Sequence, residues 1–453
     1  MFKRILFGTD GVRGKANIYP MTGEVAMALG RAVTSYFQRF KKNYRPMIVI
    51  GKDTRLSCYM LEQAFSAGVC SQGGRAVLTG PLPTPGVAFV VESMRADAGV
   101  MISASHNEFS DNGIKIFDSK GHKLPDEVEI QLEEMVLNPS TIEQKLDEEL
   151  GNTKRLDEVI GRYIVHAKSA FDPNKSLEGM RLVVDCAHGA AYKVAPMVFS
   201  ELGAEVLVLG ASPNGININE NTGAMFPDAC AEKVIRYRAD LGICLDGDAD
   251  RIVMVDHLGN VVNGDKIIGI CAKFLRDKGE LLANQEIVGT IMSNIGLEHY
   301  LAPLGLKLAR TKVGDRYIIE HMLKTGASFG GEPSGHIIFK NYSTTGDGII
   351  SALKIIECMS YYRETLHDLV SEVVLYPQIL KNVAVKSKTP LENVPRIVEA
   401  QEKALQDLEG RGRVVLRYSG TSLLVRLMVE GEEMEKVNMI SKELEQVLVE
   451  ELI

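Results

Sequence analysis

Two short stretches of this sequence carry side chains that can do chemistry together. Asp246-Gly-Asp-Ala-Asp-Arg251 places a carboxylate at every second position. In extended backbone alternate side chains point the same way, so Asp246, Asp248 and Asp250 can converge on one point. Three carboxylates that close repel and raise one another's pKa unless a cation sits among them. An all-oxygen set selects a hard ion, Mg²⁺, Ca²⁺ or Mn²⁺, over zinc. An EF-hand calcium loop does not fit: its sixth position needs Gly and is Arg251, and its twelfth needs Glu and is His257. The second stretch, Gly99-Val-Met-Ile-Ser-Ala-Ser-His-Asn107, runs from apolar residues into hydroxyls, an imidazole and an amide. Ser105 is a candidate nucleophile, with His106 beside it. Lys115, in Asp111-Asn-Gly-Ile-Lys-Ile116, could balance the charge of a phosphorylated serine and shuttle a substrate-hydroxyl proton. Together these groups suggest phosphoryl transfer through a serine, assisted by magnesium. Taken singly, each has a plainer reading as a solvated acidic turn or a capping serine.

Two further loops have ligand chemistry. Gly330-Gly-Glu-Pro-Ser-Gly-His336 offers Glu332, Ser334 and His336 to sugar hydroxyls, with glycines that permit close approach. Arg417-Tyr-Ser-Gly-Thr-Ser422, between two strand patterns, groups a guanidinium, hydroxyls and backbone N–H donors around a glycine, as an anion nest would. Either loop alone also reads as a simple turn. Nucleotide motifs are missing. Gly259 and Gly264 have Walker A spacing, but Asp265 stands where Lys is required, and no Gly-x-Gly-x-x-Gly follows a strand. A serine that carries the phosphate itself would remove the need for ATP.

The elements that must position these loops alternate. Thr22 to Arg39 and Cys58 to Cys70 read as helices, Met47 to Ile50, Ala76 to Leu78 and Ala98 to Ile102 as strands. Pro81, Pro83 and Pro85 predict an extended loop before a short helix from Val87 to Met94. Strands separated by helices mean a mainly parallel sheet, and open α/β sheets bind ligands beyond the carboxyl ends of their strands. The polar run from Leu137 to Arg155 reads as a boundary. A second βα series leads through Arg181 to Asp185 and Glu205 to Leu209 into the strand before Asp246, and a third starts near Gly264. The three blocks hint at a repeated architecture. From about Ser371 the pattern changes to α+β, with an antiparallel sheet expected. The expected fold class is therefore α/β, three successive mixed βα sandwich domains plus a C-terminal α+β domain around a central cleft. The expected domains are 1–153, 154–257, 258–370 and 371–453.

Bulk properties exclude other classes. A length of 453 residues exceeds one ordinary core. A net charge of −8 argues against nucleic acid or a membrane surface as partner, both of which need a basic field. The 7 cysteines are scattered with no C-x-x-C pair, which fits free thiols in a reducing compartment better than disulfides or structural zinc. The early charges at Lys3 and Arg4 do not make a signal peptide, so a cytoplasmic location is expected.

The four loops, in this order and spanning nearly the whole chain, resemble the α-D-phosphohexomutase superfamily. Phe7-Gly-Thr-Asp-Gly-Val-Arg-Gly14, Asn217-Ile-Asn-Glu-Asn-Thr-Gly-Ala224 and Val313-Gly-Asp-Arg316 are similar to its bacterial phosphoglucosamine mutase branch. The resemblance implies that Ser105 is phosphorylated and that Asp246, Asp248 and Asp250 hold Mg²⁺ with a phosphoserine oxygen. It implies that Arg13 and Lys115 line the reaction centre and that His106 belongs to the catalytic group. Glu332, Ser334 and His336 would grip a hexosamine phosphate, and Arg417, Ser419, Gly420 and Thr421 would hold the phosphate that is not reacting. Glucosamine 1,6-bisphosphate would be intermediate and activator, and a homodimer is a further expectation. Pro333 stands where the branch usually has Gln, and Ser422-Leu423 where the family usually has Glu-Pro. Phosphomannomutase/phosphoglucomutase, a sugar-phosphate phosphatase and a non-enzymatic sugar-phosphate sensor are the rival readings.

Overall fold

The computed structural model of the chain describes residues 5–8, 10–40, 44–281, 286–418 and 423–452. Its strands form four sheets, and three of these repeat one topology. In the first sheet Met47–Lys52 pairs in parallel with both Arg75–Pro81 and Ala98–Ile102, and Asp111–Asp118 returns antiparallel to Ala98–Ile102. In the second, Arg181–Asp185 pairs in parallel with Glu205–Leu209 and Leu241–Leu245, and Ile252–Val255 returns antiparallel to Leu241–Leu245. In the third, Glu286–Thr290 pairs in parallel with Lys307–Thr311 and Phe329–Gly331, and Ile337–Phe339 returns antiparallel to Phe329–Gly331. Each sheet thus orders its strands return, third, first, second. The expected repeat is real at the level of topology.

The repeat explains where the chemistry sits. In each sheet the turn from third to return strand is the loop singled out by its residue types: 103–110, 246–251 and 332–336. The third strands of the first two sheets, Ala98–Ile102 and Leu241–Leu245, are buried at every position, the mark of a strand covered on both faces. The polar residues that follow are those the strand no longer has to bury.

The first sheet carries extra strands at both edges. Gly11–Lys15 pairs antiparallel with Asp111–Asp118, and Asn152–Arg155 pairs in parallel with Arg75–Pro81. Part of the polar run read as a boundary is therefore a strand of this sheet. The proline-rich stretch also differs from expectation: the helix begins at Thr84, with Pro85 in its first turn. Proline lacks an N–H that the first turn would leave unbonded anyway, so it starts this helix instead of delaying it. Gly51 and Gly99 let that helix sit close, since a Cβ at either would lie 2.3 Å from Val87 or Val91. The close seat brings Thr84 to the metal loop.

One apolar core runs continuously from the first sheet through the second to the third, including Met101, Phe117, Val184, Ile243, Phe274 and Phe329. Burying each such side chain contributes roughly 1.5–3 kcal/mol. The fourth unit has a separate core. Gln378–Ala384, Leu424–Gly431 and Gly412–Tyr418 form an antiparallel sheet in that order. Helices Pro395–Asp407 and Met434–Leu452 contribute Ile397, Ala404, Ile440 and Leu444 to its core. This is the α+β tail expected from the sequence.

Candidate active site

Ser105 sits just past a buried strand end with its backbone in the left-handed region, φ 54°. Its own N–H donates to Ser103 Oγ at 2.9 Å, and Ser103 Oγ donates to Asp53 Oδ2 at 2.6 Å. Its side-chain Oγ donates to Asp246 Oδ2 at 2.6 Å, across from the first sheet to the second. The nucleophile candidate and the aspartate loop therefore meet directly.

Asp246, Asp248 and Asp250 are all buried, and one oxygen from each lies within 4.8 Å of the others. Burial, reinforced by Asp250 and Asp248, pushes the Asp246 carboxyl up to about 8. Lys115 offsets the crowding: its Nζ donates to Asp248 Oδ2 at 2.8 Å and Asp250 Oδ2 at 3.0 Å. Burial works against the lysine's charge, but Asp10, Asp248 and Asp250 hold its pKa well above the usual lysine range. Thr84 Oγ1 donates to Asp248 Oδ2 as well, at 2.6 Å. Asp248 Oδ1 and Asp250 Oδ1 are buried and accept nothing. Orphaned, converging oxygens with no nitrogen or sulfur among them are what a hard dication needs, so the residues fit Mg²⁺.

Arg13 lies on Gly11–Lys15, one strand over from Lys115. It pairs with Asp10, and Lys123 pairs with both Asp10 and Asp315, the latter at 2.7 Å. Against partial burial, Lys115, Lys123 and Arg13 hold the Asp10 carboxyl well below the usual range. His106 stands 3.4 Å from Ser105 Oγ through Nδ1. That same nitrogen accepts from Arg251 Nη1 at 2.8 Å. Burial, Arg251 and Arg13 lower His106 to about 4, so the ring is neutral and its Nδ1 lone pair is committed to Arg251. His106 is thus a neighbour of the serine oxygen, not a free base for it.

The third loop reaches the same place. His336 Nδ1 faces Asp250 Oδ1 at 3.7 Å, and its Nε2 accepts from the Gly346 N–H at 3.0 Å. Glu332 is buried, accepting from Gly314 N at 3.0 Å, with Ser334 Oγ 3.4 Å from its other oxygen. Gly335 is in the left-handed region at φ 87°, and a Cβ there would lie 1.9 Å from Ile252 O, so only glycine fits between the second and third loops. Pro333 packs its backbone on Gly264, where a Cβ would meet Pro333 O at 2.5 Å. A cavity of about 270 Å³ is lined by His106, Asp246, Arg251, Asn263, Pro333 and Ser334, and so by all three loops. A larger polar cavity of about 760 Å³ lies by Gln38, Arg45 and Glu149 and contains none of these groups.

The fourth loop stands apart in character. Arg417, next to last in its strand, stands directly opposite Arg426 in the antiparallel register, so two guanidinium groups share a face. Burial and then Arg426 pull the Arg417 pKa down. Among the described residues neither has a carboxylate partner. Ser419, Gly420 and Thr421 lie outside the described residues.

Sequence reasoning missed Asp10, Lys123, Arg251, Thr84 and Arg426. Asp10 lies inside the opening stretch already noted, and Arg251 directly follows the third aspartate. Arg426 was available from strand parity. Lys123 and Thr84 left no local signal, because only tertiary packing brings them in.

Comparison with known proteins agrees with this geometry. Family models describing the phosphoglucomutase/phosphomannomutase α/β/α domains I, II and III match residues 4–143, 161–259 and 263–376, and the model of the C-terminal domain matches 380–447. A phosphoglucosamine mutase of Lawsonia intracellularis is 49% identical over 448 residues, covering 99% of both chains. One from Chlamydia felis is 49% identical over 447 residues, covering 99% of this chain and 97% of that one. A crystal structure of a phosphoglucomutase/phosphomannomutase family protein from Burkholderia thailandensis superposes with a TM-score of 0.80 at 20% identity, covering 98% of this chain and 96% of that one. The N-acetylphosphoglucosamine mutase of Aspergillus fumigatus, solved with GlcNAc-6P and magnesium, has the same fold at a TM-score of 0.68 and 16% identity, covering 98% and 96%. With four domain models matched in order and full-length relatives at 49% identity, this chain belongs to the phosphohexomutase family, on its phosphoglucosamine mutase branch.

Proposed function

We propose that the chain interconverts glucosamine 6-phosphate and glucosamine 1-phosphate in the cytoplasm, supplying amino-sugar nucleotide for cell-wall precursors. The observation that carries the chemistry is the 2.6 Å hydrogen bond from Ser105 Oγ into the aspartate triad, with Lys115 beside it. The sugar assignment is supported by full-length relatives at 49% identity that bear the phosphoglucosamine mutase name.

Phosphoserine 105 gives its phosphoryl group to the free hydroxyl of the hexosamine phosphate. The Oγ–P bond breaks as the sugar O–P bond forms, and the hydroxyl proton ends on Ser105 Oγ, which then donates to Asp246. Glucosamine 1,6-bisphosphate turns over in the cleft, and the reverse transfer returns the other phosphoryl group to Oγ and the proton to the sugar. Lys115 and Arg13 supply fixed positive charge beside the transferring group. Lys115 shuttles a proton only if it first gives up its own, which three carboxylates oppose. Asp246, Asp248, Asp250 and a phosphoserine oxygen would hold Mg²⁺, which supplies further charge neutralisation when bound. Glu332 and Ser334 take the sugar hydroxyls, His336 anchors the end of that loop against Asp250 and Gly346 instead of reaching the sugar, and the Arg417 loop takes the distal phosphate.

The test is a substrate panel with Mg²⁺, read alongside the intact mass of the protein. Glucosamine 1-phosphate is expected to turn over faster than glucose 1-phosphate or mannose 1-phosphate, with one phosphoryl group found on Ser105. Preference for glucose or mannose would favour the second reading, which rests on Pro333. Inorganic phosphate release exceeding isomer formation would make it a phosphatase.

A further inference from the structure

The Ser105 turn is held from two sides by a closed ring of hydrogen bonds. Arg55 Nη2 donates to Ser105 O at 3.0 Å and to Asn107 O at 2.9 Å. Asn219 Nδ2 donates to the same two oxygens, at 2.9 Å each. Each nitrogen has two hydrogens and each carbonyl two lone pairs, so all four groups are saturated. The amide of Asn219 can sit only this way, because its oxygen in that place would face two carbonyl oxygens. Arg55 and Asn219 are both buried, and Asn219 lies in the left-handed region at φ 58°. Arg55 is itself fixed, with Nε on Asp53 Oδ2 at 2.8 Å, and Asp53 also accepts from Ser103 Oγ.

The two halves come from different sheets. Arg55 belongs to the first, with the serine, whereas Asn219 belongs to the second, with the aspartates. Gly247, inside the aspartate loop, presses on the same carbonyl: a Cβ there would lie 2.5 Å from Ser105 O and 3.0 Å from Asn219 Nδ2. An ordinary polar contact between units would not gather four donor bonds onto the strained residue's own carbonyl and the one two residues on. A non-Gly residue at positive φ persists only when its surroundings over-determine it.

We infer that Asn219, acting with Arg55, is a positioning residue that holds Ser105 in its left-handed conformation and so aims Oγ at the aspartate triad. The inference rests on the mutase reading and adds to it what sets the nucleophile's direction. Both side chains are buried and spend their donors on the turn itself.

Two variants isolate the effect. Asn219→Asp keeps size but turns both donors into an acceptor facing carbonyls. Asn219→Gly removes the side chain while leaving the positive φ accessible. With Mg²⁺ present, kcat for sugar-phosphate interconversion is expected to fall roughly 10- to 100-fold in both, since small misplacements of a reacting atom cost that much. KM should stay within about twofold, because binding groups are untouched. The single-turnover rate of Ser105 phosphorylation by glucose 1,6-bisphosphate should fall in parallel, and amide exchange at residues 103–108 should quicken. Rates are taken per phosphorylatable serine counted by intact mass, so misfolded molecules do not enter. A merely structural residue would lower melting temperature and the number of competent sites while leaving kcat per site unchanged; that result overturns the clamp, as does a loss confined to KM. Absence of turnover in the unmodified protein would overturn the mutase reading instead, and amide exchange would still decide the clamp.

Discussion

At the Ser105 centre cations and carboxylates interleave. Lys115 meets Asp10, Asp248 and Asp250, and Lys123 meets Asp10 and Asp315. On the fourth sheet Arg417 and Arg426 face each other across a strand pair, and among the described residues no carboxylate answers them. Only the first region is neutralised within the fold. The difference follows from burial. The centre is sealed by the continuous core and by loops from three sheets, where an unpaired charge would cost several kcal/mol. The Arg417–Arg426 face is partly open to solvent, where like charges opposite one another cost only about 0.2–1 kcal/mol. The charges of the centre are paired within the fold, whereas the Arg417–Arg426 face sets two like charges opposite each other.

The contrast breaks first at the centre. Ser105→Ala is expected to lower turnover by more than about 10⁴-fold, as loss of a nucleophile does, with melting temperature unchanged; steady-state assay and thermal melt read both, and residual full activity would remove the serine from the mechanism. Asp248→Asn should cost at least about 100-fold or raise the Mg²⁺ needed for half-activity by a similar factor. A magnesium titration superimposable on that of the unaltered protein would count against the triad. Lys115→Met tests the neutralisation itself. It leaves buried carboxylates unanswered and should destabilise the metal-free protein by about 3–5 kcal/mol in urea. Mg²⁺ should restore more stability to this variant than it adds to the unaltered protein; equal gains would mean the lysine and the ion do not share a task.

The loops that carry both regions were legible in the sequence, their charge pairing was not, and the exceptions have physical causes. The three loops could be found because a strand buried on both faces has to stop being apolar where it ends, and the residues after Ile102, Leu245 and Gly331 announce that change. The repeat was only hinted at, because topology is preserved by pairing order, whereas sequence similarity among the blocks is not needed to keep it. Prolines misled at residues 81–87, since proline reads as loop but is also accommodated in a helix's first turn. The strand at Asn152–Arg155 was missed because it is an exposed edge strand with no apolar face. The resemblance placed His106 in the catalytic group. Only the geometry shows its lone pair taken by Arg251, a residue 145 positions away. Asp10 and Asp315 lie in stretches the sequence singled out, but their pairing through Lys123 had no sequence signal, because each member comes from a different element.

The smallest expected effect tests the other side of the comparison and has the opposite sign. Arg426→Ala removes one of two like charges held opposite each other, so in anion-free buffer the protein should become slightly more stable, by a few tenths to about 1 kcal/mol. The same change should raise KM for the sugar phosphate roughly 10-fold while leaving kcat nearly unchanged, because a charge-assisted grip on a distal phosphate contributes to ground and transition states alike. Inorganic phosphate separates this from a general surface effect. It should stabilise the unaltered protein by screening and bridging the two guanidinium groups, and should do so much less in the variant. Denaturant melts with and without phosphate read both quantities. A variant that is less stable without anion, or that gains as much from phosphate as the unaltered protein, would mean that Arg417 and Arg426 are already answered and that the two regions handle charge in the same way.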